Sequence, residues 1–241
     1  MSESLRQFNL KRKHSSIEHR LRSILCYVID NYKLLMTDGT KYDLSKIKET
    51  STYKIEDYLS NELVDKYLKM NLHLINNSQL NKIIITKQSE ELYTDAIDKR
   101  DKPDKIDIYI TNLNMNRFLE DNPVQPYFAI ECKRIRKQSC MKEYVSDIRK
   151  FCNREYRLTR LPLEVQIAFI ENSEYNTDYI STEINKELEL QNNITTKKYL
   201  ERELLHPEFY DSYHSSHLKN FPPYKLYSIY HLFLHYSSIV N

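Results

Sequence analysis

At 241 residues the chain is long enough for one substantial core, and 40% hydrophobic residues with 20 tyrosines mark a globular rather than a disordered composition. The formal charge of +2 is nearly neutral, so any nucleic-acid role must rest on where charge sits and not on its sum. A single glycine, Gly39, excludes dinucleotide fingerprints, P-loops and GxSxG nucleophile elbows.

Cys26, Cys132, Cys140 and Cys152 show no CxxC pair and no zinc-ribbon spacing, which favours free thiols in a reducing compartment. No apolar run approaches the roughly 20 residues that span a bilayer. The N-terminus MSESLRQFNLKRKHSS lacks the apolar core of a secretory signal, so a cytoplasmic protein with no membrane partner is expected.

Residues 1–15 are polar and basic, helical only in context. Ser15 or Ser16 can cap a helix to about Met36, with Ile17, Leu21, Ile24, Val28 and Leu35 on its apolar stripe and Thr37-Asp38-Gly39-Thr40 as its stop. A polar connection over 40–52 leads to a second helix over about 54–75, marked by Leu59, Leu63, Tyr67 and Leu74 and closed by Asn76-Asn77. Lys82 to Thr86 reads as a short buried strand and residues 87–103 as a charged link. Two alternating runs follow, one around Ile106-Asp107-Ile108-Tyr109-Ile110 and one at Tyr127 to Lys133, the latter bracketed by Pro123 and Pro126. Lys142 to Tyr156 has helical periodicity, Val165 to Ile170 is a fourth strand, and two polar helical patterns occupy 177–205. Phe209 to Leu218 and Leu226 to Tyr236 flank Phe221-Pro222-Pro223 as a hairpin, although the second run also suits a buried helix. The order predicts an α/β core covered on both faces, with residues 1–53 a basic tail and helix packed on a domain of residues 54–241.

Side chains alternate along a strand, so Glu131 and Lys133 share one face while Phe128, Ile130 and Cys132 take the other. Asp107 likewise points away from Ile106, Ile108 and Ile110. If the two strands pair, two carboxylates and an ammonium converge at one edge. Such a pair, with the backbone carbonyl of Cys132, offers hard ligands for Mg2+ or Mn2+, and Lys133 would stand beside the ion to orient water or neutralise a phosphate. An odd spacing would separate acid and lysine, so the i, i+2 interval is a physical requirement.

These residues resemble the PD-(D/E)xK nuclease superfamily, with an aspartate on one strand, Asp107, and Glu-x-Lys on the next, Glu131-Cys132-Lys133. The likeness continues into Tyr144, Ile148-Arg149-Lys150-Phe151 and Tyr156, similar to a helix of small defence-associated members. Asp147 stands where those members usually carry glycine, a departure expected to be harmless. Tyr213 to His217 and Tyr230 to Leu234 are similar to their C-terminal strands, so the likeness covers roughly residues 54–240. The resemblance implies a restriction endonuclease-like mixed central sheet flanked by helices, with an N-terminal helical extension and a C-terminal hairpin. It also implies Mg2+-dependent hydrolysis of DNA phosphodiesters in bacterial restriction or antiphage defence, as a homodimer or beside other defence-system subunits. A further acid is implied on the helix before the first strand: Glu62 first, Glu56 second, Glu91 in another register. Pro103-Asp104 is the alternative match for the first aspartate, and Asp104 is otherwise a loop carboxylate.

Other readings compete. A Glu-x-Lys at a strand end is, taken alone, commonly a surface ion pair of small energetic value. Arg134, Arg136, Lys137, Arg149, Lys150 and Arg154 belong to a basic stretch, running from Lys133 through Arg157 to Arg160, that suits phosphate contacts or a solvated face equally. Lys11-Arg12-Lys13 reads as a solubilising tail. His214, His217, His231 and His235 lack a zinc motif and read as core or hairpin-lining side chains. A catalytically inactive nucleic-acid or protein-binding module, and a structural subunit of a defence complex, are the rivals to an enzyme.

Overall fold

The computed structural model describes residues 3–50, 54–74, 83–112, 127–156 and 160–241. The Asn76-Asn77 stop, the Pro123 and Pro126 bracket and Arg157 lie outside the described residues, as do the side chains of Lys11, Arg12, Lys13 and Arg160.

Helix Glu3–Thr37 (α1) starts well before the expected serine cap. Its stripe of Ile17, Leu21, Ile24, Val28 and Leu35 is buried as the spacing requires, and Leu25 and Ile29 widen it. Just past the helix Gly39 has φ of +79°, and a β-carbon there would meet nothing within 4 Å, so backbone conformation alone favours glycine. The connection expected over 40–52 contains a short helix, Leu44–Thr50 (α2), which buries Ile47. Helix Ile55–Glu62 (α3) passes straight into a π-helical stretch, Leu63–Leu68, and a 3-10 turn follows at Leu72–Leu74. The single helix expected over 54–75 is thus broken into pieces, and the wider turn buries Leu63, Val64, Tyr67 and Leu68 together.

Among the described residues eight strands form one mixed sheet. They are Ile83–Asp95 (β1), Asp101–Asn112 (β2), Tyr127–Ile135 (β3), Arg154–Tyr156 (β4), Arg160–Ile170 (β5), Thr196–Arg202 (β6), Ser212–Leu218 (β7) and Leu226–His235 (β8). Their order is β4-β1-β2-β3-β5-β8-β7-β6. β3, β5 and β8 run parallel, with helix Ser139–Asn153 (α4) in the connection from β3 to β5 and helix Thr177–Glu189 (α5) after β5. The flanking pairs are antiparallel, including β7 with β8, which resolves Leu226–His235 as strand and not helix. The chain is therefore mixed α/β, with a mixed sheet flanked by helices.

Two expectations are corrected. The charged link over 87–103 is the remainder of β1, a turn and the start of β2, because pairing with β2 supplies the hydrogen bonds its polar sequence does not advertise. The second helical pattern in 177–205 is β6, an edge strand on β7 carrying Lys197 and Lys198, a charge pattern that discourages further strand addition.

Alternation gives the sheet two cores. On one face α1 and α3 bury Leu25, Val28 and Leu59 against Ile108, Phe128, Ile130, Cys132, Ile167 and Leu232. On the other, α4 and α5 bury Tyr144, Ile148, Phe151 and Ile180 against Ile135, Ala168, Ile229 and Phe233. Because α1 from Ile17 onward and Ile47 of α2 share the first core with the sheet, these helices pack as part of the same body. Leu25→Ala should cost about 2–5 kcal/mol of unfolding free energy in urea titrations, whereas a separable α1 would leave the midpoint unchanged. No helix among the described residues is long and apolar enough to cross a membrane.

The second core contains a chain of polar groups. Tyr144 Oη meets His231 Nδ1 at 2.8 Å, His231 Nε2 meets Ser215 Oγ at 2.8 Å, Ser215 Oγ meets His217 Nε2 at 2.9 Å, and His217 Nδ1 meets Thr196 Oγ1 at 3.1 Å. Tyr144, Ser215, His217 and His231 are all fully buried. These histidines therefore tie α4, β8, β7 and β6 together, the core role their lack of a zinc motif suggested. Tyr144→Phe, which leaves His231 Nδ1 without its hydroxyl, should cost about 1–3 kcal/mol in a thermal or urea melt.

Candidate active site

Pairing between β2 and β3 ends at Ile108 opposite Ile130, so Asp107 and Glu131 are the next residues on the two strands. Beyond that point Asp107 Oδ2 accepts the Cys132 N–H at 2.8 Å, a side chain taking up a strand donor where the ladder stops. On its other flank β2 meets β1, where Gln88 lies between the pairs Lys87–Ile108 and Ser89–Ile106 and has φ of +53°. A left-handed non-glycine residue within a strand is strained, and here the strain sits beside Asp107.

The end of the ladder opens a cleft of about 200 Å³ whose lining includes Asp107, Glu131 and Lys133. Two helices complete it. From α3 come Glu56 and Asp57, in the first turn where the helix dipole favours carboxylates. From α4 come Asp147, Lys150 and Phe151. Lys133 Nζ lies 3.1 Å from Glu56 Oε1 and 3.1 Å from Asp147 Oδ2. Glu56 Oε2 accepts the Arg134 N–H at 3.1 Å, and Asp147 Oδ1 accepts from Lys150 Nζ at 2.5 Å. Lys105 bridges to Asp57 at 3.0 Å, and Arg154 pairs with Asp104 and lies 4.4 Å over the Tyr93 ring.

Burial pushes the Asp107 carboxyl well above the usual carboxylate range; the Cys132 N–H opposes this and the nearby charge of Glu56 adds to it. Burial alone would lower the Lys133 ammonium, but Asp147 and Glu56 outweigh it and hold Lys133 above its ordinary value, a fixed cation at neutral pH. Burial, then the charge of Asp107, drives the Cys132 thiol far up, which removes it as a nucleophile.

Asp107, Glu131 and Lys133 thus come together. Glu62 does not: it lies at the end of α3, ion-paired to Lys66 at 2.5 Å, and Glu56, six residues earlier, is the α3 acid that reaches the cleft. Six residues is about one and two-thirds helical turns, so Glu62 points about 120° around the helix from Glu56 as well as lying further along it. Glu91 is engaged by the Tyr127 hydroxyl and does not line the cleft. Asp104 lies on β2 and not in a loop, and it lines the cleft. Asp147, expected to be harmless, is buried at Lys133. The signal was present in the sequence, since one carboxylate interrupts the apolar stripe of Tyr144, Ile148 and Phe151 and a buried acid requires a partner.

The basic residues divide. Lys150 and Arg154 line both the cleft and an adjoining one of about 290 Å³ that also holds Arg149 and Tyr93. Arg134 is spent on a two-pronged pair with Glu171, and Arg136 and Lys137 are exposed on the turn between β3 and α4.

No family model, curated protein or solved structure matches the chain. Geometry and donor chemistry therefore carry the functional reading. Among the described residues no three His, Cys, Asp or Glu side chains form a ready-made metal centre. Mg2+ does not need one, because it keeps several waters and is commonly held by one or two carboxylates and substrate phosphate. A buried Asp107 raised by burial and by a neighbouring acid is a carboxylate that a divalent cation would relieve, so the donor set fits such an ion.

Proposed function

We propose that the cleft is the active site of a metal-dependent nuclease of the PD-(D/E)xK type, hydrolysing DNA phosphodiesters. The observation that carries this reading is the convergence of Asp107, Glu131 and Lys133 where β2 and β3 part, on residues the alternation alone would place together. Asp107 and Glu131, with the Cys132 carbonyl, would hold Mg2+ or Mn2+, which when bound polarises the phosphoryl oxygen and lowers the pKa of a coordinated water. Lys133, charged and fixed by two acids, would stabilise negative charge developing on the phosphate. Lys150, Arg149 and Arg154 would bind flanking phosphates, making affinity fall steeply with salt. The restriction endonuclease-like fold and a setting in bacterial restriction or antiphage defence rest on the sequence resemblance alone.

One observation favours the inactive-module alternative: Lys133, Lys105, Lys150 and Arg154 are each matched by an acid of the same chain, a compensated site that needs no substrate to balance it. Cleavage assays on duplex DNA, single-stranded DNA and RNA with Mg2+ or Mn2+ decide between the two. The wild type should cut DNA, and Lys133→Ala should lose about 100-fold or more in rate while still binding DNA. A wild type that cuts none of the three with either ion overturns the enzyme reading and leaves the binding module.

A further inference from the structure

We propose that Asp147 is a positioning residue that anchors the Lys133 ammonium on the α4 side of the cleft and keeps it from closing onto Asp107 and Glu131. The assignment deepens the nuclease reading and rests on it for its consequence in catalysis.

A carboxylate inside the apolar stripe of a helix is costly unless paired, and a buried ion pair is weak evidence for a gain in stability. Asp147, with a side chain only 6% exposed, nevertheless sits there, and its two oxygens are divided between two ammonium groups, Lys133 at 3.1 Å and Lys150 at 2.5 Å. What this arrangement supplies is geometry. Lys133 has a long side chain with four rotatable bonds, and six acids line the same cleft, Glu56, Asp107, Glu131 and Asp147 among them. Glu56 alone holds it from α3. Without the counter-pull from α4, the ammonium is drawn toward Asp107 and Glu131, where it would neutralise the carboxylates proposed to hold the divalent ion. Asp147 thus keeps a cation near the reacting phosphate and out of the metal position.

Asp147→Asn is nearly isosteric and removes only the charge, so the fold should survive. Three measurements on the full chain test the anchor. Lys133 acetylation by an N-hydroxysuccinimide ester, followed by mass spectrometry, should slow severalfold in Asp147→Asn, because the ester takes only the neutral amine and the ammonium then sits against Asp107 and Glu131. Mn2+ binding without DNA, followed by calorimetry, should weaken about tenfold as Lys133 competes for Asp107 and Glu131. Under cleavage conditions kcat should fall about tenfold or more with KM little changed, and Asp147→Glu should recover most of the loss. Unchanged Lys133 acetylation together with unchanged Mn2+ affinity would overturn the anchor whether or not the protein cuts DNA. Altered acetylation with kcat and Mn2+ affinity at wild-type values would reduce Asp147 to a structural ion pair and equally overturn it. Failure of the nuclease reading is visible separately, as a wild type that cuts nothing.

Discussion

Asp107→Asn should abolish Mg2+-dependent cleavage and leave the protein as stable as the wild type or more so. The two effects share one cause. Asp107 is 9% exposed, and burial together with the charge of Glu56 disfavours its ionised form. An acid whose folded pKa lies above its unfolded value costs nothing below the unfolded value, and its cost grows as pH rises through the folded one. At pH 7 the ion-free protein therefore carries that cost, and asparagine removes it while its side-chain oxygen can still accept the Cys132 N–H. A gain of about 1 kcal/mol in urea unfolding is expected, alongside a loss of about 100-fold or more in cleavage rate. Mg2+ alone should raise the melting temperature of the wild type and not of Asp107→Asn, since an ion that binds only the folded state stabilises it. A variant that cuts DNA at the wild-type rate would remove Asp107 from the site, whatever its stability. A variant that melts lower without metal would show that the carboxylate is a structural group.

The second large effect is acid lability well above the range where ordinary carboxylates titrate. Burial, then the charge of His214, depresses His217 to about 4 from the model-compound value of 6.5, and burial with the charges of His217 and His214 drives His231 down as well. A base with a depressed folded pKa is neutral in the fold, so between pH 6.5 and about 4 the unfolded chain binds more protons. Stability is complete above 6.5 and falls as pH drops through that window. His217 alone should account for about 3 kcal/mol by pH 4. The coupled groups Tyr144, Ser215 and Thr196 would lose their match to neutral imidazoles at the same time. Urea unfolding of wild type and His217→Gln at pH 7, 5.5 and 4.5 isolates the effect from the carboxylates. The variant starts less stable and should show a flatter decline; parallel curves for the two proteins would mean that His217 is not held neutral.

How much of this was legible depended on periodicity. The apolar stripe of α1, from Ile17 to Leu35, and the alternation of Ile108 with Ile110 and of Phe128 to Cys132 have one dominant period each, and the first core follows them, whereas Ile106, expected on the same face, packs with Tyr127 and Ala129 instead. The i, i+2 placement of Glu131 and Lys133 is geometry that a strand cannot avoid. Where the local signal was mixed, partners decided. Residues 87–95 and 196–202 are charged and carry no clean period, and they are strands because β2 and β7 offer them ladders. Glu62 and Glu56 were separable only by which side of α3, and which height along it, meets the strand end.

The amino-acid order by itself determined the mixed α/β class, the two-sided burial of the central strands, and the common face of Glu131 and Lys133, because each follows from covalent spacing and side-chain polarity. Only the tertiary structure decided that Glu56 and Asp147 close on Lys133 and that Tyr144, Ser215 and Thr196 join His231 and His217 in one polar chain. The longest of those contacts, Tyr144 with His231 and Glu56 with Lys133, span 87 and 77 residues, and no periodicity in one segment records the distance to another.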